Sequence, residues 1–385
     1  MNKALCPVTE KCGGCQLLHL PYRRQLEQKQ QLVERLLKPY CPVKPILGAE
    51  NPLHYRNKVH AAFGTDWQGH IICGTYQAGT HRIVPVQQCC IEDPTASRVI
   101  NAVRKLMIAF HIAPYNEDTG RGIIRHVLVR TGRRTGQALV TLVIGRPDFP
   151  ARKAFVEALV QNCPGITSVV VNLNSAKTSM ILGQSSRVAY GRGWIEDELC
   201  GLTFGISPSS FYQVNAEQAQ RLYETAIGYA GLTGRESLLD AYCGIGTIGL
   251  AAAGRAARVT GVELNPDAVQ DAIRNARRNG IANARFFEGD AGEFLRAGKA
   301  GLLDVVMMDP PRAGSDRRFL QSLCQSGAGR VVYVSCNPET LARDLDYLTA
   351  HGYRALEATP VDMFPQTEHV ETVVFVSRVT KNELK

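Results

Sequence analysis

The sequence lacks the marks of a membrane-embedded, secreted or disordered protein. No apolar run approaches the ~18 residues of a membrane helix, and the N-terminal stretch of residues 1–7 has no apolar core of the kind that a signal peptide carries. Low-complexity tracts and internal repeats are missing as well. With 45% hydrophobic and 21% charged residues, the composition is that of an ordinary globular chain. We therefore predict a folded, cytoplasmic protein.

Disulfide bonds and a paired zinc knuckle are not expected either. The twelve cysteines belong to a chain predicted to lie in a reducing compartment, where disulfides are rare. Cys6, Cys12 and Cys15 supply three close thiols, and zinc or a [4Fe–4S] cluster would accept them together with a fourth. Zinc sites usually pair two Cys-x2-Cys knuckles, and the sequence has no second one. Six other cysteines are predicted to be buried small residues: Cys41, Cys73, Cys163, Cys200, Cys243 and Cys324.

Charge is unevenly spread along the chain. Residues 1–150 contain 20 Lys or Arg against 10 Asp or Glu, whereas the whole 385-residue chain carries a net charge of +9. This asymmetry favours a polyanionic partner for the first part of the chain over a merely basic surface. The donors best placed for phosphate contacts are Tyr55-Arg56-Asn57-Lys58 and the run Arg121, Arg125, His126, Arg130, Arg133, Arg134.

The pattern of apolar segments divides the chain into three predicted domains. Residues 1–50 hold the cysteine motif and a linking helix over 22–40. Residues 51–205 are predicted to be α+β, with a helix over 94–110 and strands at 127–130, 138–144, 169–171 and 179–182. Residues 206–385 alternate helices with buried strands at 237–241, 258–263, 284–287, 304–308, 330–334, 355–361 and 370–377. Such alternation is typical of a parallel, doubly wound sheet, so the fold class is α/β.

A glycine turn follows the first of these strands. Residues 240–249, DAYCGIGTIG, combine a strand end, glycines that let the backbone approach a ligand, and the start of a helix. Glu263 ends the next strand, where an acidic side chain can hold both hydroxyls of a ribose. The spacing within the turn, and the Gly289-Asp290 pair that follows, favour S-adenosylmethionine over a dinucleotide.

Two more strand ends are expected at the same edge of the sheet. Asp309-Pro310-Pro311-Arg312 follows the fourth strand, and Ser335-Cys336-Asn337-Pro338 follows the fifth. A thiol at this edge is placed for nucleophilic attack. From the residues alone, Cys336 could equally be a small core residue.

Together with two further blocks, these segments resemble the RNA (uracil-C5)-methyltransferase family, whose bacterial members modify ribosomal and transfer RNA. The shared blocks are 210–215 (SFYQVN), 240–249 (DAYCGIGTIG), 309–312 (DPPR), 335–338 (SCNP) and 362–371 (DMFPQTEHVE). The resemblance extends over nearly the whole chain and includes the N-terminal cysteines.

The resemblance implies covalent catalysis. Uracil C5 is a poor nucleophile, but a thiolate added to C6 turns C5 into an enolate carbon that can attack a sulfonium methyl. The C5 proton must then leave before the thiol is eliminated. By resemblance, Cys336 is the nucleophile and Glu371, the last residue of Thr-x-His-x-Glu, is the base. Glu368 and His369 are the alternatives for that base.

The resemblance also implies two cofactors. The domain that carries the glycine turn is expected to be a class I, Rossmann-like methyltransferase domain. The residues expected to contact S-adenosylmethionine are Gln213, Tyr242, Glu263 and Asp309. The residues expected to hold a [4Fe–4S] cluster are Cys6, Cys12, Cys15 and Cys89. Cys90 stands where the family usually has proline and is the alternative fourth ligand.

The partner implied by the resemblance is RNA, and we expect 23S rRNA, methylated by a monomer. One alternative is methylation of the transfer-RNA T-loop, and another is an inactive iron–sulfur protein that only binds RNA. Some family members carry an RNA-binding β-barrel before the first cysteine. Only five residues precede Cys6, so that barrel is expected to be missing.

Overall fold

The computed structural model describes residues 5–299 and 301–379, which form two compact units. Unit 1 contains the residues up to His19 together with 51–198 and 205–209, and unit 2 contains 20–50, 199–204 and 210 onward. Residues 1–4, part of the stretch predicted to carry no signal peptide, lie outside the described residues. None of the helices in the described ranges is both long and apolar enough to cross a membrane.

The helices are α1 (Thr9–Cys12), α2 (Tyr22–Leu37), α3 (Pro94–Ala109), α4 (Arg152–Asn162), α5 (Ala216–Ala230), α6 (Thr247–Ala253), α7 (Pro266–Arg278), α8 (Ala291–Arg296), α9 (Arg317–Ser326) and α10 (Pro338–Ala350). The strands are β1 (Lys58–Thr65), β2 (Ile71–Tyr76), β3 (Ile83–Pro85), β4 (Ile124–Thr131), β5 (Ala138–Ile144), β6 (Ile166–Leu173), β7 (Ser185–Gly191), β8 (Ile195–Leu199), β9 (Leu202–Ile206), β10 (Ser237–Ala241), β11 (Arg258–Glu263), β12 (Ala284–Glu288), β13 (Val305–Met308), β14 (Arg330–Ser335), β15 (Tyr353–Val361) and β16 (Glu371–Arg378).

Unit 1 is built on a seven-stranded sheet of order β3-β2-β1-β4-β5-β6-β7. Neighbouring strands are antiparallel except β5 and β6, which α4 connects in parallel. The start of α3 shows two usual signals: Asp93 accepts a hydrogen bond from the Thr95 N–H at 2.7 Å, and Pro94 occupies the first helical position. Apolar side chains of α3 and α4 pack with those of the sheet into one core.

The two faces of this sheet differ in chemistry because side chains alternate along a strand. Val59, Ala61 and Phe63 of β1 point into the core beneath the helices. Lys58 is therefore on the opposite face, and it is paired with Arg130 of β4. One face is apolar and covered by helices, while the other carries cations.

One predicted strand of unit 1 is wrong. Residues 179–182 form a loop, and the last strand of the sheet is β7, further along the chain. The side chain of Asn174 binds backbone acceptors that a strand ladder would use. Its Nδ2 donates to the carbonyls of Met180 and Ile181 at 2.7 and 3.0 Å. A short apolar run in a sequence does not by itself show whether the segment forms a strand or a loop.

Unit 2 contains the predicted doubly wound sheet, with a reversal at one edge. Its order is β12-β11-β10-β13-β14-β16-β15. The first five strands are parallel, whereas β16 is antiparallel to both β14 and β15. The strands predicted within 206–385 are all confirmed, with small shifts at their ends. Because the winding reverses between β10 and β13, the carboxyl ends of these strands form the edge where open parallel sheets bind ligands.

Residues 20–50 belong to unit 2. The helix α2 contacts α10 and β15, and its Val33 and Leu37 are fully buried in the core of that unit. The segment predicted as one domain of residues 1–50 is thus shared between the units, with the cysteine motif in unit 1 and the helix in unit 2. An amphipathic pattern identifies the buried face of a helix but does not identify the surface that it packs against.

Candidate active site

Two predicted catalytic residues lie side by side at one edge of the sheet of unit 2. The antiparallel ladder of β14 and β16 ends at the pair Ser335–Thr372. Cys336 comes next on one chain segment and Glu371 on the other, so one register places both residues. Cys336 is half-buried, whereas Glu371 is 4% exposed and its Oε2 has no hydrogen-bond partner among the described residues.

Asp309 joins this pair from the neighbouring strand, because it directly follows β13. Burial raises the pKa of the Asp309 carboxyl to about 7. Burial and the charge of Asp309 raise the pKa of Glu371 well above its usual value. Burial, followed by the charges of Glu371 and Asp309, raises the pKa of the Cys336 thiol to about 11. The three groups therefore form a site that disfavours the accumulation of negative charge.

Side chains tie the segment of Asp309 to the segment of Cys336. Asn337 Nδ2 and Thr340 Oγ1 donate to the carbonyl of Arg312 at 3.4 and 3.3 Å. Asn337 also caps α10, because its Oδ1 accepts a hydrogen bond from the Glu339 N–H at 3.0 Å. The thiol lies between a strand end and a helix start, where the helix favours a thiolate. Burial nevertheless raises the pKa of the Cys336 thiol.

The glycine turn brings backbone N–H groups to the same edge. Tyr242, Gly244 and Gly246 have φ values of +66°, +54° and +82°, a region that glycine adopts at little cost. At the end of β11, Glu263 accepts hydrogen bonds from the N–H groups of Gly244 at 3.1 Å and Asn265 at 2.9 Å. These bonds fix the carboxylate of Glu263 beside the turn.

Asp240 stabilises the turn from below. It is 1% exposed and accepts a hydrogen bond from the Gly249 N–H at 2.8 Å. A Cβ on Gly249 would lie 2.7 Å from Asp240 Oδ2, so this position requires glycine. Burial, together with the charges of Asp309 and Glu263, raises the pKa of Asp240 to about 7. The three acids consequently share one edge of the sheet.

Tyr242 and Gln213 complete the predicted cofactor residues. The ring of Tyr242 packs against that of Phe319, with centroids 5.2 Å apart. Gln213 is 5% exposed and lies just before α5, which Asn215 caps. Asn215 Nδ2 also donates to the carbonyl of Met363 at 3.1 Å. An acid beside a glycine turn, with an aromatic ring and a buried amide in the same unit, fits the polar and apolar parts of a nucleoside cofactor.

The alternative bases are less enclosed than Glu371. Glu368 is exposed, and His369 is half-buried with its ring edge-on to Phe364 at 6.2 Å. Burial, followed by the charges of Arg312 and Lys29, lowers the pKa of His369. Glu371 is the carboxylate whose charge acts most strongly on Cys336.

The sequence analysis did not predict a set of buried side-chain contacts, called the brace below, between α2 and the loop that precedes Glu371. Lys29 of α2 is 2% exposed, forms an ion pair with Asp362 at 2.5 Å and donates to the carbonyl of Phe364 at 3.1 Å. Gln25 Nε2 donates to Gln366 Oε1 at 2.8 Å, and the Gln366 N–H donates back to Gln25 Oε1 at 3.0 Å. The helix α2 therefore holds this loop by side-chain bonds.

A signal for this brace exists in the sequence. Gln25, Lys29, Val33 and Leu37 recur every four residues, a spacing that puts all four on one face of a helix. These four are the buried residues of α2. Two polar residues in line with two core residues indicate a buried polar partner, although the spacing does not identify that partner.

The N-terminal cysteines gather in unit 1. Cys6 and Cys90 are buried in a small apolar cluster with Tyr55, and Cys15 and Cys89 pack against it. A hydrogen bond between the thiols of Cys15 and Cys90 lowers the pKa of Cys90 to about 7 and raises that of Cys15. Across residues 5–299 and 301–379, no three His, Cys, Asp or Glu side chains are grouped so that they could hold a metal ion. The thiols are donors of the type that iron–sulfur clusters use, and Cys6, Cys15, Cys89 and Cys90 share one apolar cluster.

The remaining cysteines have no disulfide partners, since all twelve thiols are free. Cys12 is half-buried, and its pKa is raised by burial and by the nearby charge of Cys6. The prediction of burial is confirmed for Cys41, Cys73, Cys163 and Cys243. It is wrong for Cys200 and Cys324, which are half-buried.

The basic residues predicted to contact RNA divide into two groups. Arg125 and Arg130 are buried, and their guanidinium groups bond to Glu117 at 2.7 Å and to the carbonyl of Pro208 at 3.3 Å respectively. Burial, followed by the charges of Arg130 and Arg56, lowers the pKa of Lys58 to about 8. The exposed members of the run are Arg121, Arg133 and Arg134. The spacing of these basic residues in the sequence does not show which of them are buried in the fold.

Comparisons with known proteins agree on one family. The family model described as tRNA (uracil-5-)-methyltransferase matches residues 21–379. An uncharacterized RNA methyltransferase of Caldanaerobacter subterraneus is 45% identical over 97% of this chain and 84% of that protein, and one of Bacillus cereus is 42% identical over 98% and 84%. The solved structure of Pyrococcus abyssi tRNA (uracil-54, C5)-methyltransferase in complex with S-adenosyl-L-homocysteine is 30% identical, with a TM-score of 0.80 over 95% of this chain and 86% of that one.

Proposed function

Because the chain belongs to the RNA (uracil-C5)-methyltransferase family, we propose that it methylates C5 of a uridine through a covalent adduct on Cys336. The enzyme is an RNA methyltransferase, and its methyl donor is S-adenosylmethionine. The observation that carries the proposal is the juxtaposition of Cys336, Glu371 and Asp309 at one edge of the sheet.

The roles of the side chains follow from the chemistry of uracil. The Cys336 thiolate adds to C6, and the electrons of the C5=C6 bond shift so that C5 becomes an enolate carbon. S-adenosylmethionine supplies a sulfonium-bound methyl group, to which C5 bonds as the carbon–sulfur bond breaks. Glu371 then removes the C5 proton, and the electrons of that bond restore C5=C6 while the thiolate leaves.

The ionisation of these groups limits the reaction. The first step requires the Cys336 thiol to lose its proton, and the last requires an ionised Glu371. The pKa of the Cys336 thiol is raised to about 11, so its deprotonation is uphill at neutral pH, and burial makes the Glu371 carboxyl ionise less readily than an ordinary glutamate. We expect activity to increase with pH above neutrality for this reason.

The cofactor is assigned to Gln213, Tyr242, Glu263 and Asp309. Glu263 is fixed by two backbone N–H groups, and it would accept hydrogen bonds from the ribose hydroxyls. Glu263→Ala should weaken the binding of S-adenosylhomocysteine in calorimetry. Glu224→Ala, on the exposed surface of α5, should bind like the wild type. Equal affinities for the two variants would overturn the assignment of Glu263.

The N-terminal cysteines are proposed to hold a [4Fe–4S] cluster, with Cys6, Cys12, Cys15 and Cys89 as ligands. The support is the ligand type and the gathering of these thiols around one apolar cluster. The bond from Cys15 to Cys90 makes Cys90 the competing fourth ligand.

Iron analysis tests this cluster. Anaerobically purified protein should contain about four irons per chain, as the cluster's composition requires. Cys89→Ser should lose iron whereas Cys90→Ser and Cys324→Ser should keep it. The reverse result for Cys89 and Cys90 would exchange the fourth ligand, and stoichiometric zinc without iron would exclude the cluster.

The substrate is proposed to be 23S rRNA, one of the two RNA classes that the family's bacterial members modify. The related Pyrococcus abyssi enzyme is described as acting on uracil 54 of tRNA, so transfer RNA is the competing substrate. Mass mapping of ribosomal and transfer RNA from a deletion strain decides between them. Loss of a 5-methyluridine from 23S rRNA supports the proposal, loss from tRNA replaces the substrate, and unchanged RNA excludes the proposed function.

A further inference from the structure

A groove of about 1040 Å³ lies in unit 1, on the cation-bearing face of the sheet. Gly64 of β1 is paired with Ile72 of β2, and both line the groove together with Tyr76. By the alternation along the strands, these positions share a face with Lys58. The turns on both sides of β2, and the loops before β4 and after β6, form the walls.

Aromatic rings stand at the two ends of β2. Trp67, in the turn from β1 to β2, is 90% exposed. At the other end, the rings of half-buried Tyr76 and exposed His81 lie 5.9 Å apart, and Tyr76 meets His126 edge-on at 6.1 Å. Exposed rings along a groove suit the stacking of unpaired bases, whatever their sequence.

The groove offers cations that the protein does not neutralise. Arg82 and Lys177 are both exposed lining residues. Neither forms an ion pair with an acid of the described ranges. Their charges are available to phosphate groups, which bind at such positions without regard to sequence.

Two of the three acids in the lining are already engaged. Asp66 accepts hydrogen bonds from the N–H groups of Gln68 and His70 at 2.9 and 2.8 Å. Glu117 is paired with Arg125 at 2.7 Å. The third acid, Asp118, is exposed. Outside the Arg125–Glu117 ion pair, the cations of the lining are Arg82 and Lys177, and the acids are Asp66 and Asp118.

One residue of the lining also carries an unpartnered buried donor. Arg125 lines the groove and is 3% exposed. Its Nη1 and Nη2 donate to Glu117 and to carbonyls of residues 174–178, but its Nε has no partner in the described part of the chain. Buried donors are rarely left unpaired, and this one is not satisfied by the described residues.

We propose that this groove binds an unpaired segment of the RNA substrate, with Trp67 stacking on a base and Arg82 and Lys177 contacting phosphates. The inference rests on the proposed function, because the occupant is the RNA to be methylated. Stacking rings combined with unneutralised cations are the usual means of holding single-stranded nucleic acid.

Binding of fluorescein-labelled oligouridine, followed by anisotropy at several salt concentrations, tests the groove. Trp67→Ala should weaken binding about 5- to 150-fold, the range for loss of one stacked base, without changing the salt dependence. Trp67→Phe should restore binding, and Gln68→Ala in the same turn should bind like the wild type. Arg82→Ala and Lys177→Ala should each reduce the slope of log K against log salt by about 0.7.

Kinetics distinguish this inference from the proposed function. With the RNA that the wild type methylates, Trp67→Ala should raise KM and leave kcat unchanged. If the wild type methylates RNA and Trp67→Ala and Arg82→Ala bind like the wild type, the groove assignment is wrong and the proposed function stands. If the wild type methylates no RNA, the proposed function is wrong, and the anisotropy series still decides the groove.

Discussion

The sheet-edge site of unit 2 and the thiol cluster of unit 1 both gather cysteines, but they are fixed in different ways. Cys336 directly follows the last paired residue of β14, and Glu371 is the first residue of the partner strand β16, so backbone register sets their positions. Cys6, Cys15 and Cys90 are held by the packing of an apolar cluster, and no metal-holding group of three side chains occurs in the described ranges. The first site is preformed by the fold, whereas the thiols of the second are positioned by side-chain packing.

This difference shows what a fold can organise without a ligand. The carboxyl edge of a parallel sheet collects strand ends whatever their side chains are. It can therefore hold Asp309 and Glu371 close together even though burial raises the pKa of both carboxyls and the charge of Asp309 raises that of Glu371 further. Groups that a protein holds in an unfavourable ionisation state are frequent at functional sites.

The largest effect is expected at the preformed site, from Cys336→Ala. Without the thiol no adduct forms at C6, so methyl transfer should fall to background, and RNA containing 5-fluorouridine should no longer be trapped. Both are measured with radiolabelled methyl donor and denaturing gels. Cys324→Ala, at a half-buried thiol of α9, is the matched control and should remain active. Activity retained by Cys336→Ala would disprove the covalent mechanism.

Glu371→Gln should have the next largest effect. Addition and methyl transfer remain possible, but loss of the C5 proton slows, so turnover should fall by about 10²–10⁴. A methylated protein–RNA adduct should then accumulate and survive denaturing gels. Glu368→Gln, three residues away and exposed, should turn over normally. If the two variants exchange behaviour, Glu368 is the base.

The strands of unit 2 and the segments that directly follow them could be predicted from the sequence. The strands of the sheet follow from alternating helical and buried segments, and the glycine turn and the blocks with Asp309 and Cys336 follow at strand ends. The register that pairs Ser335 with Thr372 could not be predicted, because β16 reverses direction relative to β14. Sequence analysis predicted Cys336 at this edge and, by resemblance, Glu371 as the base, and the structure shows the two at neighbouring positions.

Other features depend on long-range partners that no local pattern contains. The four-residue spacing of Gln25 and Lys29 indicates their burial, but Asp362 is more than 300 residues away. Similarly, Arg125 looks like a nucleic-acid contact in the sequence, while the fold pairs most of its guanidinium group with Glu117 and loop carbonyls. Polar groups that become buried are the hardest to read from sequence, because their partners decide their role.

The brace between α2 and the loop before Glu371 is expected to contribute to the free energy of unfolding. Lys29→Met leaves Asp362 buried without its ion-pair partner, which should lower the free energy of unfolding by about 3–5 kcal/mol. Arg24→Met, at an exposed position of the same helix, is the control. Chemical denaturation measures the difference. The double variant Lys29→Met, Asp362→Asn should recover part of the loss, and no recovery would mean that packing of the lysine stem dominates.

The smallest effect is expected in the pH dependence of the preformed site. The pKa of Cys336 is about 11, so its thiolate fraction and its alkylation by iodoacetamide should rise about tenfold per pH unit below that value. Asp309→Asn removes one nearby negative charge and should shift this profile to lower pH, as measured by mass spectrometry of the Cys336 peptide. Asp267→Asn, at an exposed acid, should leave the profile unchanged.

The free energy of unfolding should also depend on the ionisation of Asp309, and it should fall as pH rises. The folded-state pKa of Asp309 is about 7, whereas an unfolded aspartate titrates near ~3.9. The folded state therefore keeps a proton that the unfolded state releases, so this contribution to stability is complete below about pH 4 and is lost as pH rises through 7. Asp309→Asn should flatten the fall of the unfolding midpoint between pH 4 and 7. An unchanged slope would assign that fall to Asp240, whose pKa burial also raises to about 7.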